Sequence, residues 1–219
     1  MNGRGVVIEF DFAAMNGAEL LFETARRFLG GLDKINLDDA LEARYLAGRT
    51  YLDGLTRLFA SVKTKKTAQK AARDLAAAFA AAVTEAVPKA VTVQFRNFIK
   101  ALTEAGIAVA IATRADVEEV RPAFESVLGE RVILYHEESE AYGFPTWESW
   151  RRACIALEMK HAMVRAVSGS GFGVKSALVA GMRSVAVVND RVAWQDFGGA
   201  GEVVDELSGK TAKRFLARV

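Results

Sequence analysis

Histidine and cysteine are almost missing from this 219-residue chain: two of the first and one of the second. A single cysteine, Cys154, excludes an intrachain disulfide and any CxxC metal site, and in its helical context it reads as a buried small side chain. His136 and His161 are too few for a histidine-based metal centre, and neither sits at ligand spacing. Long apolar runs are absent too. The best, LAAAFAAAVTEAV at 75–87, is short and interrupted by Thr84 and Glu85, so no membrane span and no membrane partner are expected. Glu9 and Asp11 break the apolar N-terminal stretch that a signal peptide would need, and a reducing, cytoplasmic location is the expectation. Neither sign of charge dominates: 29 basic residues against 27 acidic leave +2, which argues against a nucleic-acid partner. The basic stretches at 63–70 and in the tail KTAKRFLARV read as solvated helix surface rather than phosphate-binding patches.

What remains is an ordinary globular mixture, 51% apolar and 26% charged, enough to build a core. The organisation changes twice along the chain. A strand is predicted at 5–12. From 17 to 87 only helical periodicity appears, in GAELLFETARRFLGGL, in NLDDALEARYLAGRTYLDGLTRLFASV (capped by Asp38 or Asn36) and in TAQKAARDLAAAFAAAVTEAV. Leu75, Phe79, Ala82, Val83 and Ala86 mark one face of the last, and Pro88 is predicted to close it. From residue 90 helices and short apolar strands alternate, the pattern of a parallel sheet with right-handed crossovers. The fold class is therefore α/β: a parallel sheet flanked by helices, with an all-helical block at 15–89 between the first strand and the rest. Ligands in such sheets bind at the carboxyl ends of the strands, and the helical block leaves from that same rim, where a lid would sit.

The first strand, VVIEFDFAA, carries two acids in an otherwise apolar run. On a strand, residues two apart share a side, roughly 6.5–7 Å from one another, so Glu9 and Asp11 are expected together. They are either an acid pair for catalysis or a hydrogen-bonded structural pair. With FIKALTEAGIAVAIATRAD and GFGVKSALVAGMRSVAVVND, this stretch resembles the haloacid dehalogenase-like hydrolase superfamily, in its phosphatase and phosphoglucomutase branch with a helical cap. The resemblance spans essentially the whole chain. It implies a Rossmann-like parallel sheet core flanked by helices, formed by 1–14 and 90–219, with an inserted all-helical cap domain at 15–89, and Mg²⁺-dependent phosphate transfer through an aspartyl-phosphate.

The residues depart from that chemistry. The resemblance places the nucleophile at Glu9 and the acid/base at Asp11; the usual Gly and Thr after them are Phe12 and Ala13. Glutamate is a competent nucleophile, but its extra methylene shifts the reacting oxygen, and ~1 Å of misplacement costs on the order of 10²-fold in rate. Thr113 matches the second motif and would hydrogen-bond a phosphate oxygen; Arg114 either adds charge there or lies solvated. The lysine of the third motif is replaced by Phe144, before Pro145. The acids of the fourth fall on Ser168 and Gly169. No metal ligand set remains, so no cofactor is expected, or Mg²⁺ if the protein is active after all.

The glycine-rich SGSGFG at 168–173 opens a helix, and its N–H groups at Ser168, Gly169 and Ser170 are candidate anion ligands; the spacing is GxGxG, not that of a dinucleotide fingerprint. Tyr142, Phe144, Trp147 and Trp150 form either core packing against the sheet or an exposed patch for a homodimer or another partner. The leading reading is a family fold whose catalytic centre has degenerated, a binder of a small phosphorylated or other anionic ligand or of a partner. The alternatives are an active phosphohydrolase using Glu9 and Asp11 with rearranged helpers, and a scaffold presenting its helical cap.

Overall fold

The computed structural model describes residues 4–46, 49–136 and 145–217. Its centre is a parallel six-stranded sheet of β1 (Gly5–Glu9), β2 (Ala108–Thr113), β3 (Val132–His136), β4 (Val164–Ser168), β5 (Arg183–Val187) and β6 (Glu202–Val204), in the spatial order β3-β2-β1-β4-β5-β6. The order reverses on either side of β1, so the crevice of a doubly wound sheet opens at its carboxyl end. Strands covered on both faces need apolar residues at every position. Accordingly Val6, Ile8, Val109 and Ile111 bury into one layer, and Val7, Ala110 and Ala112 into the other with Trp150 and Cys154.

The crossover helices are α6 (Val93–Glu104), α7 (Val117–Phe124), α8 (Trp147–Ala156) and α9 (Gly171–Val179), and α10 (Gly209–Ala217) packs on α6. Their starts are side-chain capped. Thr92, Asp116, Thr146 and Ser170 each accept from a backbone N–H of the first turn. Gly106, just past α6, takes φ +79° and lets the chain turn into β2.

The cap comprises α2 (Gly17–Asp33), the short α3 (Asp39–Leu41), α4 (Tyr51–Val62) and α5 (Ala68–Ala90), with α2 and α4 packed on α5. No single helix among the described residues is long and apolar enough to cross a membrane. The buried face of α5 is Leu75, Phe79, Val83 and Val87, with Ala71 and Ala72. One arginine ties cap to core. Arg191, in the loop after β5, pairs with Glu19 at 3.3 Å, Asp39 at 3.1 Å and Glu42 at 3.1 Å, and its guanidinium lies 4.1 Å from the Phe22 ring centroid.

Three local expectations need correction. The first strand ends at Glu9, and 10–13 wind into a helical turn, α1 (Phe10–Ala13). The turn seats Phe10 edge-on against Phe95 and Phe124, at 5.1 and 4.9 Å between centroids. The helix predicted across 36–62 breaks into α3, a π-helical turn at Glu42–Leu46, and α4. Thr50 restarts it by accepting from the Asp53 N–H, at 3.2 Å. Asp38 does cap α3, accepting from Leu41 N at 2.8 Å. Pro88 lies inside α5 rather than after it. Its missing N–H removes one bond, and the helix ends within a turn of it.

Candidate functional site

Glu9, Thr113 and Ser168 are the last residues of β1, β2 and β4, so parallel pairing alone brings them to one rim. Asp11 joins them from α1. Its carboxylate is fully buried and surrounded by donors. The Thr113 hydroxyl reaches Oδ1 at 2.6 Å, and the Arg114 backbone N–H and Nη1 both reach Oδ2 at 2.9 Å. The other arm of the same guanidinium, Nη2, lies 3.5 Å from Glu9 Oε1. Glu9 Oε2 accepts from the Ser168 hydroxyl, whose oxygen accepts in turn from the Ser170 N–H at 3.2 Å. Glu9 and Asp11 thus do come together, though not through strand periodicity. An arginine bridges them.

Arg114 is only 6% exposed. It is not a solvated surface residue. Its guanidinium lies 5.3 Å from the ring centroid of Phe12, and Phe12 packs 5.8 Å from Phe79 of the cap. Position 12, where the resemblance would place glycine, thereby holds a hydrophobic plug between the two layers. Tyr51, the first residue of α4, closes the site from above. Its hydroxyl is buried and makes no hydrogen bond among the described residues. Burial drives the phenol pKa well above its ordinary value; the charge of Arg114 pulls the other way, and those of Asp11 and Glu9 add to the rise.

The glycine-rich turn is equally self-contained. The Ser170 hydroxyl accepts from Gly173 N at 3.0 Å, and Gly171 N donates to Gln195 Oε1 at 2.8 Å. At Gly169 a Cβ would lie 2.0 Å from the Phe12 carbonyl oxygen. No side chain fits there, least of all the acid that the resemblance would place at this position.

Magnesium takes oxygen ligands in near-octahedral geometry. Here the carboxylates of Glu9 and Asp11 face a guanidinium instead, and no group of three or more His, Cys, Asp and Glu side chains among the described residues could hold a metal. The residues present do not fit the ion.

A cleft of about 750 Å³ lies to one side, lined by Met15, Asn16, Glu19, Asn189, Asp190 and Arg191 among others, and neither Glu9 nor Asp11 lines it. Trp150 is core, its Nε1–H donating to Ser176 Oγ at 2.9 Å; Trp147 is 40% exposed. Tyr142 and Phe144 lie outside the described residues. Cys154 is buried, 3.8 Å from Met182 Sδ. Sequence reasoning missed Tyr51 and Gln195. No spacing marks either one, because both arrive through tertiary packing.

No protein-family model matches the chain, and no curated protein does. Solved structures match over nearly its full length. A hydrolase from Pseudomonas syringae aligns with a TM-score of 0.72 at 14% identity, covering 99% of both chains. The β-phosphoglucomutase from Clostridium difficile aligns at 0.69 and 11% identity, over 99% of this chain and 96% of that one. A HAD family hydrolase from Deinococcus radiodurans R1, with bound phosphate and sodium, aligns at 0.57 and 16% identity, over 99% and 96%. The chain has the haloacid dehalogenase-like fold. Within that fold, core and helical cap both superpose on enzymes, while the crevice at the end of β1 is filled from inside by Arg114, Phe12 and Tyr51.

Proposed function

We propose that this protein is a non-catalytic, or nearly inactive, member of the haloacid dehalogenase-like hydrolases. One observation carries the reading: a buried guanidinium spans Glu9 and Asp11, where phosphoryl transfer would need a cation and a phosphate. For Glu9 to attack phosphorus one of its oxygens must be freed, Oε1 from Arg114 or Oε2 from the Ser168 hydroxyl. For Asp11 to move a proton, Oδ1 must be freed from Thr113 or Oδ2 from Arg114. Dismantling a buried, hydrogen-bonded ion cluster costs several kcal/mol, and that cost adds to every turnover. The anion-binding role expected of Thr113, Arg114, Ser168, Gly169 and Ser170 meets a similar obstacle: Thr113 and Arg114 are engaged with Asp11, the Ser168 hydroxyl with Glu9, and the Ser170 hydroxyl with the Gly173 N–H.

Incubation of the purified protein with an aryl phosphate and Mg²⁺ tests this. The expected outcome is product formation at the buffer rate, equal in wild type and Asp11→Asn, with no rise in melting temperature on adding Mg²⁺. Metal-dependent turnover that Asp11→Asn abolishes would establish the rival, a phosphohydrolase with Glu9 as nucleophile and Asp11 as acid/base.

A further inference from the structure

The opposite rim, at the amino ends of the strands, carries an unexplained concentration of positive charge. Arg4 precedes β1, Arg183 opens β5, and Arg165 is the second residue of β4. Arg165 and Arg183 are register partners, so their Cα atoms sit about 4.8 Å apart with side chains on one face. A cavity of about 190 Å³ opens beside them, lined by all three arginines and by Val6, Ile107 and Phe215 among others, with no carboxylate in its wall. Arg165 lies over the Phe215 ring, 4.9 Å from the centroid, which braces it along the floor. A second cavity, of about 270 Å³, shares Arg165 and Arg183 and has Glu202 in its wall, 3.0 Å from Arg214. Arg4 and Arg183 pair with no acid among the described residues.

We propose that this pocket binds a compact polyanion of the diphosphate class, a phosphorylated small molecule with two or more negative charges. Guanidinium forks match phosphate oxygens two at a time, and a multivalent anion offers oxygens to both Arg4 and Arg183, which line the same cavity. The volume, roughly six waters at ~30 Å³ each, suits a diphosphate and excludes a nucleic-acid strand. The apolar wall of Val6, Ile107 and Phe215 would take the organic part of an ester. The site lies at the other end of the sheet from Glu9 and does not depend on whether that end is catalytic.

Calorimetric titration of the 219-residue chain with inorganic pyrophosphate at low ionic strength tests it, with Arg183→Gln, Arg4→Gln, the double variant, and Arg152→Gln on the exposed face of α8 as the charge control. The expected result is saturable binding, weakened on the order of tenfold by each single variant, lost in the double variant and unchanged in Arg152→Gln. If Arg183→Gln loses its native far-UV spectrum, Arg4→Gln alone decides. No saturable binding by wild type, or equal affinity in wild type and Arg4→Gln, would overturn the proposal.

Discussion

At the scale of single residues, Arg114 decides the character of the site. Buried ion clusters contribute little net stability when intact, but removing one member strands the rest. Arg114→Met is therefore expected to destabilise the protein by ~3–5 kcal/mol, read as a lower urea midpoint with unchanged slope. Arg114→Lys is not expected to rescue it, because one ammonium cannot replace a fork that touches both Asp11 and Glu9. Cys154 gives a pH-dependent test. Burial pushes its thiol from 9.0 up to about 11. The folded state thus keeps a proton that the unfolded state releases. The corresponding stability is fully present below pH 9 and is lost as pH rises to about 11. Urea midpoints measured from pH 8 to 11 should fall more steeply for wild type than for Cys154→Ala; parallel curves would contradict this. Arg114 was legible in the sequence only as a charge beside a motif. Whether it pointed out or in was not, since a one-residue step past a strand end sends a side chain either way.

At the scale of elements, the junction of β1 and α1 matters most. The sequence showed a strand with two acids but not where it stops. Phe10 prefers the aromatic slot between Phe95 and Phe124, and reaching it curls 10–13 into a turn. That turn lays the Phe12 carbonyl directly over Gly169. Gly169→Asp, which restores an acid at the position implied by the resemblance, is accordingly expected to destabilise the fold by several kcal/mol by displacing α1, without creating Mg²⁺ affinity. Thermal melts with and without Mg²⁺ check it. A variant as stable as wild type, or one stabilised by the ion, would show that α1 yields easily. The glycine's identity was plain from the start; its reason was not, because the atom it avoids lies 157 positions away in the chain.

At the scale of the whole molecule, cap and core share one buried apolar cluster. A single hydrophobic cluster runs from Ile8 and Ile111 of the sheet through Phe12 to Leu29, Leu55 and Phe79 of the cap helices. The three carboxylates gathered by Arg191 reinforce the same junction. Unfolding should therefore follow a single transition, with far-UV dichroism and tryptophan fluorescence coincident although all three tryptophans lie outside the cap. Phe79→Ala, in the cap, is expected to cost ~3–5 kcal/mol and to shift both signals together. Separate midpoints would mean that the cap unfolds on its own.

The sequence by itself determined the layer architecture. Alternating strand and helix periods, glycines past helix ends and a long helical block after the first strand are local signals, and together they set the order of elements even where packing moved a boundary. It also determined which charges are missing, since a lysine or an acid that was never encoded cannot be supplied by folding. Only the tertiary structure decided what occupies the space they left. The direction of Arg114, the seat of Phe12 against Phe79 and the arrival of Tyr51 from the cap all depend on which surfaces meet. A buried carboxylate must find a partner among whatever groups packing brings within reach, and packing is a property of the assembled chain.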